Sequence, residues 1–374
     1  MTYRAPVREI ALALEAAGLS DVLPAFPDLD KDTLAAVLDA GGTFAEGVLA
    51  PINRDGDRIG ARYANGAVTA APGFATAYAD YAAGGWASLS ADPAHGGQGL
   101  PKALDTAVFE MMNAANVAFT LCPMLTQSAV EALVQHGSER QKAVVLPKLV
   151  SGEWTGAMNL TEPQAGTDLA AVATRAEPDG TGGYRLTGQK IFITWGDHDM
   201  AENICHLVLA RLPDAPPGVK GISLFLAPKR LIAEDGRPAA ANALGPASIE
   251  HKLGIHGSPT CVMAYDGAKA ELVGEVNQGL AHMFVMMNAA RLHCGVQGVG
   301  LAEAALQKAV AYAQDRRQGR AAWSAEQPAA IFDHPDVRRM LALMKAKTAA
   351  ARGICLLTAL LGDLARTAES PVAR

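Results

Sequence analysis

The sequence predicts a mainly α-helical protein with a β domain at its centre. Half of the 374 residues are hydrophobic but only 5% are aromatic, a balance that favours packed helices over a β sandwich. Apolar residues recur at helical spacing near both ends of the chain and at strand-like spacing between them. This length is too great for a single core and suggests two or three domains. The changes of period divide the chain into three, at residues 1–155, 156–273 and 274–374.

The first domain is predicted to consist of helices joined by short Gly- and Pro-rich loops. Apolar residues follow a helical period in segments 33–49 and 103–118, whereas segment 92–101 is rich in Gly and Pro and predicts a loop. Ser138 is placed to cap the N-terminus of a helix that Pro147 would limit or kink. A helical bundle is therefore expected before residue 156.

The middle domain is predicted to be a small β domain. Its strand-like runs, which are separated by Gly, Pro and Asp, are 184–194, 206–211, 221–226 and 261–265. The helical period returns over 279–314, where Gly295 and Gly298 would let neighbouring helices approach closely. Pro335 suits the first turn of a second long helix, with His334 as its cap.

Composition excludes several classes of protein. The net charge of -6 and the lack of a basic run argue against nucleic acid as a partner. Five widely spaced cysteines without a CxxC pair indicate reduced thiols and a cytoplasmic location. Because neither a signal peptide nor an apolar run of spanning length is evident, we expect no membrane span. The histidines lack metal-ligand spacing, so no metal site is expected.

Two segments have residue types suited to a cofactor. Residues 159–168 read NLTEPQAGTD and residues 188–194 read GQKIFIT. The first combines a turn-forming Pro, a Gly that lets backbone approach a ligand, and several hydroxyl and amide groups. The second alternates like a strand, which would place Phe192 and Thr194 on one face and Ile191 and Ile193 on the other. Either segment alone could be an ordinary loop or core strand, but the two together favour a cofactor site.

The two segments resemble the flavin-binding signature of the acyl-CoA dehydrogenases, a family whose helical, β and helical order the chain also shares. The resemblance spans almost the whole chain, including 137–141, 252–260 and 315–320. Segments 3–24 and 334–340 are most similar to the larger bacterial branch that includes 3-methylmercaptopropionyl-CoA dehydrogenase. The resemblance to this family implies an FAD-dependent oxidoreductase of fatty acid metabolism that converts an acyl-CoA to the 2-enoyl-CoA and passes electrons to an electron-transferring flavoprotein.

The resemblance also implies specific site residues. Leu160 and Thr161 would bond the pyrimidine edge of the flavin, Phe192 would cover one flavin face, and Thr194 would lie near N5. Arg316 would reach the FAD pyrophosphate of a neighbouring subunit in a homo-oligomer. The full set of implied FAD-binding residues is Met158, Leu160, Thr161, Thr167, Phe192, Ile193, Thr194, Arg316 and Gln318, and the implied substrate-binding residues are Thr167, Asn288 and Arg291.

The catalytic base is unknown from the sequence. Dehydrogenation of an acyl-CoA needs a carboxylate to remove the α proton, but Ala290 stands where one branch of the family carries Glu, and no Glu-Gly-Thr segment occurs. We therefore expect the catalytic Glu beyond residue 374, an incomplete C-terminal helical domain, and a chain that is a fragment. Two alternatives stay open. One is an acyl-CoA oxidase or flavin monooxygenase on the same fold, and the other is a non-catalytic flavin-binding protein.

Overall fold

The computed structural model describes residues 3–367 of the chain. These residues form two compact units. The helical unit comprises the segments up to Pro51, 100–117 and from Leu292 onward, and the β unit comprises 52–99 and 118–291. The division by contacts thus differs from the three domains expected from the sequence, because two long helices pass from one unit into the other.

Ten α-helices occur in the described residues. They are α1 (Val7–Ala16), α2 (Leu19–Val22), α3 (Lys31–Phe44), α4 (Ala50–Ile59), α5 (Phe74–Ala83), α6 (Lys102–His136), α7 (Glu139–Val144), α8 (Leu146–Ser151), α9 (Gly279–Asp315) and α10 (Pro335–Thr367). A π-helical turn joins α3 to α4, and α6 is kinked at Asn116, whose φ of -160° and ψ of 86° are not helical.

Eleven strands occur in the same residues. They are β1 (Arg62–Ala64), β2 (Ala67–Thr69), β3 (Trp154–Asn159), β4 (Arg175–Pro178), β5 (Tyr184–Thr194), β6 (Asn203–Arg211), β7 (Ile222–Pro228), β8 (Arg230–Ile232), β9 (Pro238–Ala241), β10 (Leu244–Ile249) and β11 (Thr260–Val273). The predicted order of helices, strands and helices is confirmed.

The β unit is built on a seven-stranded sheet that closes on itself. Strands β11, β5, β4 and β6 are successive neighbours, and β7 pairs with both β6 and β11. This ring encloses buried apolar side chains that include Leu186, Ile204, Phe225 and Met263. The closure removes most free strand edges, and it confirms the barrel-like middle domain that the sequence predicts.

The helical unit is held by close contact between helices. One apolar cluster contains Leu306, Ala313 and Leu341, from α9 and α10. At Gly300 a Cβ atom would lie 2.8 Å from the Ala114 nitrogen and from the Glu110 oxygen, so α9 touches the backbone of α6 there. The expected role of Gly298 is wrong, because nothing lies within 4 Å of its Cβ position.

Local signals in the sequence predict several helix boundaries correctly. Ser138 and Gln141 form a capping box at the start of α7, which ends at Val144, and α8 begins next to Pro147. Helix α10 begins at Pro335 as predicted. The imidazole Nε2 of His334 lies 2.8 Å from the carbonyl oxygen of Gln318. The side chain of His334 is therefore bonded to the preceding loop and not to the first turn of α10.

Three helical segments of the described chain could cross a membrane if only length and composition are considered. They are Lys31–Ile59, Lys102–His136 and Pro335–Thr367. The expectation that no apolar run reaches spanning length is therefore wrong on this criterion. In the most apolar window of Lys102–His136, 67% of the residues are buried inside the protein, so much of this apolar surface is used in packing.

Candidate functional site

The first of the two segments, residues 159–168, is called the first motif below, and residues 188–194 are called the second motif. The first motif begins at the end of strand β3. The side chain of Asn159, the last residue of β3, is fully buried and accepts a hydrogen bond of 2.8 Å from the Tyr265 hydroxyl. Its amide nitrogen lies 3.2 Å from Nδ1 of His206. These contacts fix the point at which Leu160 and Thr161 leave the sheet.

A tight turn follows in the motif. The backbone N–H of Glu162 donates to the Ala165 carbonyl, and the N–H of Ala165 donates to the Glu162 carbonyl, both at 3.0 Å. Pro163 lies inside this turn, where its fixed φ is favourable. Beyond the turn, Gly166 has open space at its Cβ position and Thr167 is exposed. The loop thus presents backbone and a hydroxyl group at the surface of the β unit.

The structure brings the second motif directly beside the first. Lys190 Nζ donates to the carbonyl oxygen of Leu160 at 2.9 Å. The backbone N–H of Ile191 donates to the carbonyl oxygen of Thr161 at 2.8 Å. Both carbonyls are therefore engaged, and Leu160 and Thr161 could bond a flavin through their N–H groups or the Thr161 hydroxyl.

Strand β5 is distorted at the motif. A β-bulge shifts its register with β11 between Lys190 and Ile193, and Phe192 within it has a φ of +59° and is 59% exposed. A positive φ is unfavourable for a bulky side chain and is typical of functional sites. The predicted alternation is wrong at Ile191, which is partly exposed, whereas Ile193 is buried in the core. The side chain of Ile193 therefore faces the core, its carbonyl accepts a hydrogen bond from the Gly196 N–H at 3.3 Å, and the residue pairs with Cys261 of β11.

The threonine hydroxyls of the motifs are free to bind a ligand. Within residues 3–367, the hydroxyls of Thr161, Thr167 and Thr194 have no hydrogen-bond partner. Met158, Leu160, Thr161 and Thr194 are all partly exposed. Free hydroxyls beside an exposed aromatic ring suit a flat polar heterocycle such as a flavin.

Two further predicted residues, Arg316 and Gln318, belong to the helical unit. The segment that contains them is held by backbone bonds from Gln318 to Ala329 and from Ile331 to Arg316. The side chain of Arg316 is exposed, donates to Gln318 Oε1 at 3.3 Å, and has no carboxylate partner in the described part of the chain. Its charge is therefore available to an anion.

The predicted substrate residues Asn288 and Arg291 lie one turn apart on α9. Arg291 donates to the Asn288 side-chain oxygen at 2.5 Å, and its guanidinium lies 5.2 Å from the centre of the Phe284 ring. The hydrogen bond and the cation–π contact together orient an exposed guanidinium. The structure thus brings these two predicted residues together.

The two carboxylates nearest the motif are already engaged. Glu162 is buried and pairs with Lys190 at 2.8 Å. Burial raises the pKa of Glu162, but the charge of Lys190 and hydrogen bonds from Lys190, Thr174 and Ala173 outweigh burial and lower it overall. Asp168 accepts a hydrogen bond from the Ala170 N–H at 2.9 Å. Because Glu162 is buried and paired with Lys190, it is poorly suited to act as a general base.

Sequence reasoning missed three residues that support the motif, namely Lys190, Thr174 and His206. Lys190 occupies a buried position of β5, four residues after the buried Leu186. A charged residue in phase with the buried side chains of a strand is the signal that could have revealed a buried partner. Burial also lowers the pKa of His206 to about 3, with a smaller effect of the Lys229 charge.

The described residues contain no group of three or more His, Cys, Asp or Glu side chains arranged to hold a metal ion. All five cysteines are free thiols, and Cys122, Cys205 and Cys261 are buried.

Three models of one protein family match consecutive parts of the chain. They describe the acyl-CoA dehydrogenase N-terminal domain at residues 32–153, the middle domain at 157–268 and the C-terminal domain at 277–373. The third match assigns residues 277–373 to the C-terminal domain of this family, so the chain contains C-terminal domain sequence.

Individual relatives agree with the family models. The chain is 49% identical over 371 residues to 3-methylmercaptopropionyl-CoA dehydrogenase of Ruegeria pomeroyi, covering 98% of this chain and 63% of that protein. Among solved structures, a chain in a study of the electron transferring flavoprotein of Acidaminococcus fermentans has a TM-score of 0.74 and 25% identity over 90% of this chain and 80% of its own. Butyryl-CoA dehydrogenase from Megasphaera elsdenii has a TM-score of 0.71 and 24% identity over 91% of this chain and 86% of its own. The chain thus spans less than two thirds of the length of the Ruegeria relative.

Proposed function

Because the chain belongs to the acyl-CoA dehydrogenase family, we propose that it binds FAD and oxidises an acyl-CoA thioester to the 2-enoyl-CoA. The observation that carries this proposal is the pair of contacts from Lys190 to Leu160 and from Ile191 to Thr161. These contacts join the two motifs into one surface with free threonine hydroxyls. Electrons then pass to an electron-transferring flavoprotein in the cytoplasm.

The residues of the β unit have distinct roles in this proposal. When bound, FAD would take up the β hydrogen of the substrate as a hydride. The N–H groups and hydroxyl at Leu160 and Thr161 hold the pyrimidine edge, and Thr194 bonds near N5. Fixed donors of this kind stabilise negative charge that develops on a ring. Phe192 covers one face of the ring, and Met158 and Ile193 belong to the same proposed FAD site.

Anionic parts of the ligands need other residues. Thr167 and Arg316 hold the FAD pyrophosphate with help from Gln318, and Arg316 does so in a neighbouring subunit of a homo-oligomer. Replacing Arg316 with Ala should lower the FAD occupancy, because a pyrophosphate loses its cation. Arg320→Ala removes an exposed charge from the same segment and serves as the control. Equal FAD occupancy in both variants would exclude this role of Arg316.

The acyl-CoA is bound by Thr167, Asn288 and Arg291 in the same proposal. The fixed, exposed guanidinium of Arg291 can bond a carbonyl or anionic group of the thioester. 3-Methylmercaptopropionyl-CoA and butyryl-CoA are the substrates to test first, because relatives are named for them. We also propose domain boundaries at 155/156 and 273/274, where the period of the sequence changes.

The flavin contacts can be tested by titrating the purified protein with FAD. Thr161→Val and Thr194→Val should each raise the dissociation constant about fivefold, which corresponds to about 1 kcal/mol per neutral hydrogen bond. Thr187→Val is the matched control, since Thr187 is an exposed residue of the same strand. Dissociation constants and flavin spectra that match the control in both variants would remove these hydroxyls from the site.

The type of reaction can be tested with the FAD-loaded protein and each acyl-CoA. Enoyl-CoA formation coupled to an electron-transferring flavoprotein or a dye, without oxygen uptake, is the expected result. Oxygen uptake would identify an oxidase or monooxygenase. The engaged Glu162 and the alanine at 290 favour a second candidate, a non-catalytic flavin-binding protein. Tight FAD binding without turnover of any acyl-CoA would support that candidate.

A further inference from the structure

A buried ion pair lies directly behind the flavin motif. The side chains of Lys190 and Glu162 are 0% and 3% exposed, and their charged atoms are 2.8 Å apart. Besides this contact, the ammonium group of Lys190 donates to the Leu160 carbonyl at 2.9 Å. Lys190 therefore connects strand β5 to the first residue of the loop.

The carboxylate of Glu162 organises a second piece of backbone. It accepts hydrogen bonds from the N–H groups of Ala173 and Thr174 at 2.7 and 3.0 Å, and from the Thr174 hydroxyl at 2.6 Å. The amide of Gln164 donates to it at 2.5 Å. The carboxylate thus ties the start of the motif to the segment that enters β4.

The glycine of the second motif makes room for this arrangement. A Cβ atom at Gly188 would lie 2.6 Å from the Thr174 hydroxyl, which donates to Glu162. Gly188 and Lys190 of the GQKIFIT segment therefore serve the same cluster from one strand. The buried Lys190 of this segment contacts the loop from the interior, whereas Phe192 is exposed and Thr194 is partly exposed.

A buried ion pair is a costly way to stabilise a fold, because apolar side chains of similar volume often do as well or better. Its advantage is geometric, since charge-assisted hydrogen bonds fix the positions of the groups they join. Here those groups are backbone atoms of the loop rather than side chains of the core. The pair is therefore placed to control the position of Leu160 and Thr161.

We propose that Lys190 and Glu162 are positioning residues for the flavin, which hold Leu160 and Thr161 so that their free donors meet the flavin ring. The inference rests on the proposed FAD site and adds residues that do not themselves touch the cofactor. Loss of the pair moves the donors away from the ring. Both the affinity for FAD and the visible absorption of the bound flavin then change.

The test compares FAD binding by the wild-type protein, Lys190→Met and Lys229→Met. Lys229 forms an ion pair with the buried Asp197 in the same unit, and no hydrogen bond joins it to the motif. Lys229→Met is thus a control variant in which a different buried carboxylate, that of Asp197, loses its lysine partner. Because each flavin hydrogen bond changes the dissociation constant roughly fivefold, Lys190→Met should raise the dissociation constant at least about fivefold and shift the flavin absorption bands, whereas Lys229→Met should do neither.

Lys190→Arg completes the test by keeping the charge. It should bind FAD more tightly than Lys190→Met, because it can still pair with Glu162, while its larger head displaces the Leu160 carbonyl and shifts the spectrum from that of the wild type. If Lys190→Met does not fold, the comparison of Lys190→Arg with the wild type decides. An unchanged affinity and spectrum in the Lys190 variants, or an equal loss in Lys229→Met, would overturn the inference. A wild-type protein that takes up no FAD would overturn the proposed function as well.

Discussion

Buried charged side chains occur in both units of the molecule, but the two clusters differ in net charge and in the groups to which they bond. In the β unit, Lys190 forms an ion pair with Glu162, and both side chains form hydrogen bonds with loop backbone. In the helical unit, Arg352 of α10 bonds two buried glutamates, Glu110 of α6 at 2.6 Å and Glu303 of α9 at 3.0 Å. The first pair is electrically neutral, whereas the second cluster has one negative charge in excess.

The difference indicates two uses of a costly interaction. The cluster around Arg352 joins side chains of three helices and therefore defines how these helices pack. Burial raises the pKa of Glu110, and the negative charge of Glu303 adds to this effect, although Arg352 opposes both. The Lys190 pair joins strands to an exposed loop. One arrangement thus specifies a fold, and the other specifies the geometry of a candidate site.

The largest expected effect comes from removing the shared cation of the helical unit. Arg352→Met leaves Glu110 and Glu303 buried without the counter-charge of Arg352, which should lower the free energy of unfolding by about 3–5 kcal/mol. Arg339→Met on the same helix breaks an exposed pair with Asp336 and should cost less than about 1 kcal/mol. Denaturant unfolding of both variants measures the difference. Equal losses would show that the cluster adds no more than a surface pair.

Neutralising one glutamate should separate the two arrangements. Glu162→Gln leaves Lys190 charged and buried without a counter-charge, so we expect a loss of about 3 kcal/mol. Glu303→Gln instead removes the excess negative charge and leaves Arg352 paired with Glu110, so we expect a change of less than about 1 kcal/mol. The free energy of unfolding of the two variants is the measurement. A larger loss in Glu303→Gln would reverse our comparison.

These clusters also mark the limit of what the sequence predicts. Strand β5, helix α9, the start of α10 and the cap at Ser138 follow from signals within a few residues, so these bounds could be read from spacing and capping residues. Helix α6, by contrast, continues to His136, beyond the predicted segment 103–118. Arg352 and Glu110 are 242 positions apart, and the sequence next to either residue does not predict which residue it pairs with. The contact exists because three helices pack together, which is information that a single sequence does not display.

Within the candidate site, the sequence points to the two motifs but does not give their geometry. The two motifs identify the threonines and Phe192, but the bulge in β5 changes which side chains are buried. As a result Lys190 and Ile193, which strict alternation would place on opposite faces, are both buried. The carbonyls of Leu160 and Thr161 are also taken by β5, which a motif cannot reveal.

Buried histidines sharpen the comparison through pH. Burial lowers the pKa of His206 to about 3, whereas an unfolded histidine titrates near about 6.5. Between these values the unfolded state binds the extra proton, so stability falls as the pH falls, by at most about 1.4 kcal/mol per pH unit for each such histidine. His206→Gln should remove this contribution and flatten the dependence of the unfolding free energy on pH below 6.5.

The control for this prediction is His334→Gln, because His334 is partly exposed in a loop of the helical unit. This variant controls for the loss of one histidine, and its slope is compared with that of His206→Gln. The readout is the slope rather than the absolute stability, so a general loss from replacing a buried ring does not obscure it. A slope of His206→Gln equal to that of the wild type would mean that His206 gains a proton while folded.

The smallest effect concerns a glycine next to Arg352. Gly353 lies inside α10 with nothing within 4 Å of its Cβ position, so Gly353→Ala should stabilise the protein by about 0.5–1 kcal/mol by restricting the unfolded chain. Gly300→Ala is the matched contrast, since its Cβ would lie 2.8 Å from the backbone oxygen of Glu110 and overpacking typically costs about 1–3 kcal/mol. Thermal and denaturant unfolding of the two variants should therefore change in opposite directions. A destabilised Gly353→Ala would mean that α10 is packed more tightly beside the cluster than its contacts indicate, and a neutral Gly300→Ala would mean that α9 and α6 can separate without disturbing the buried charges.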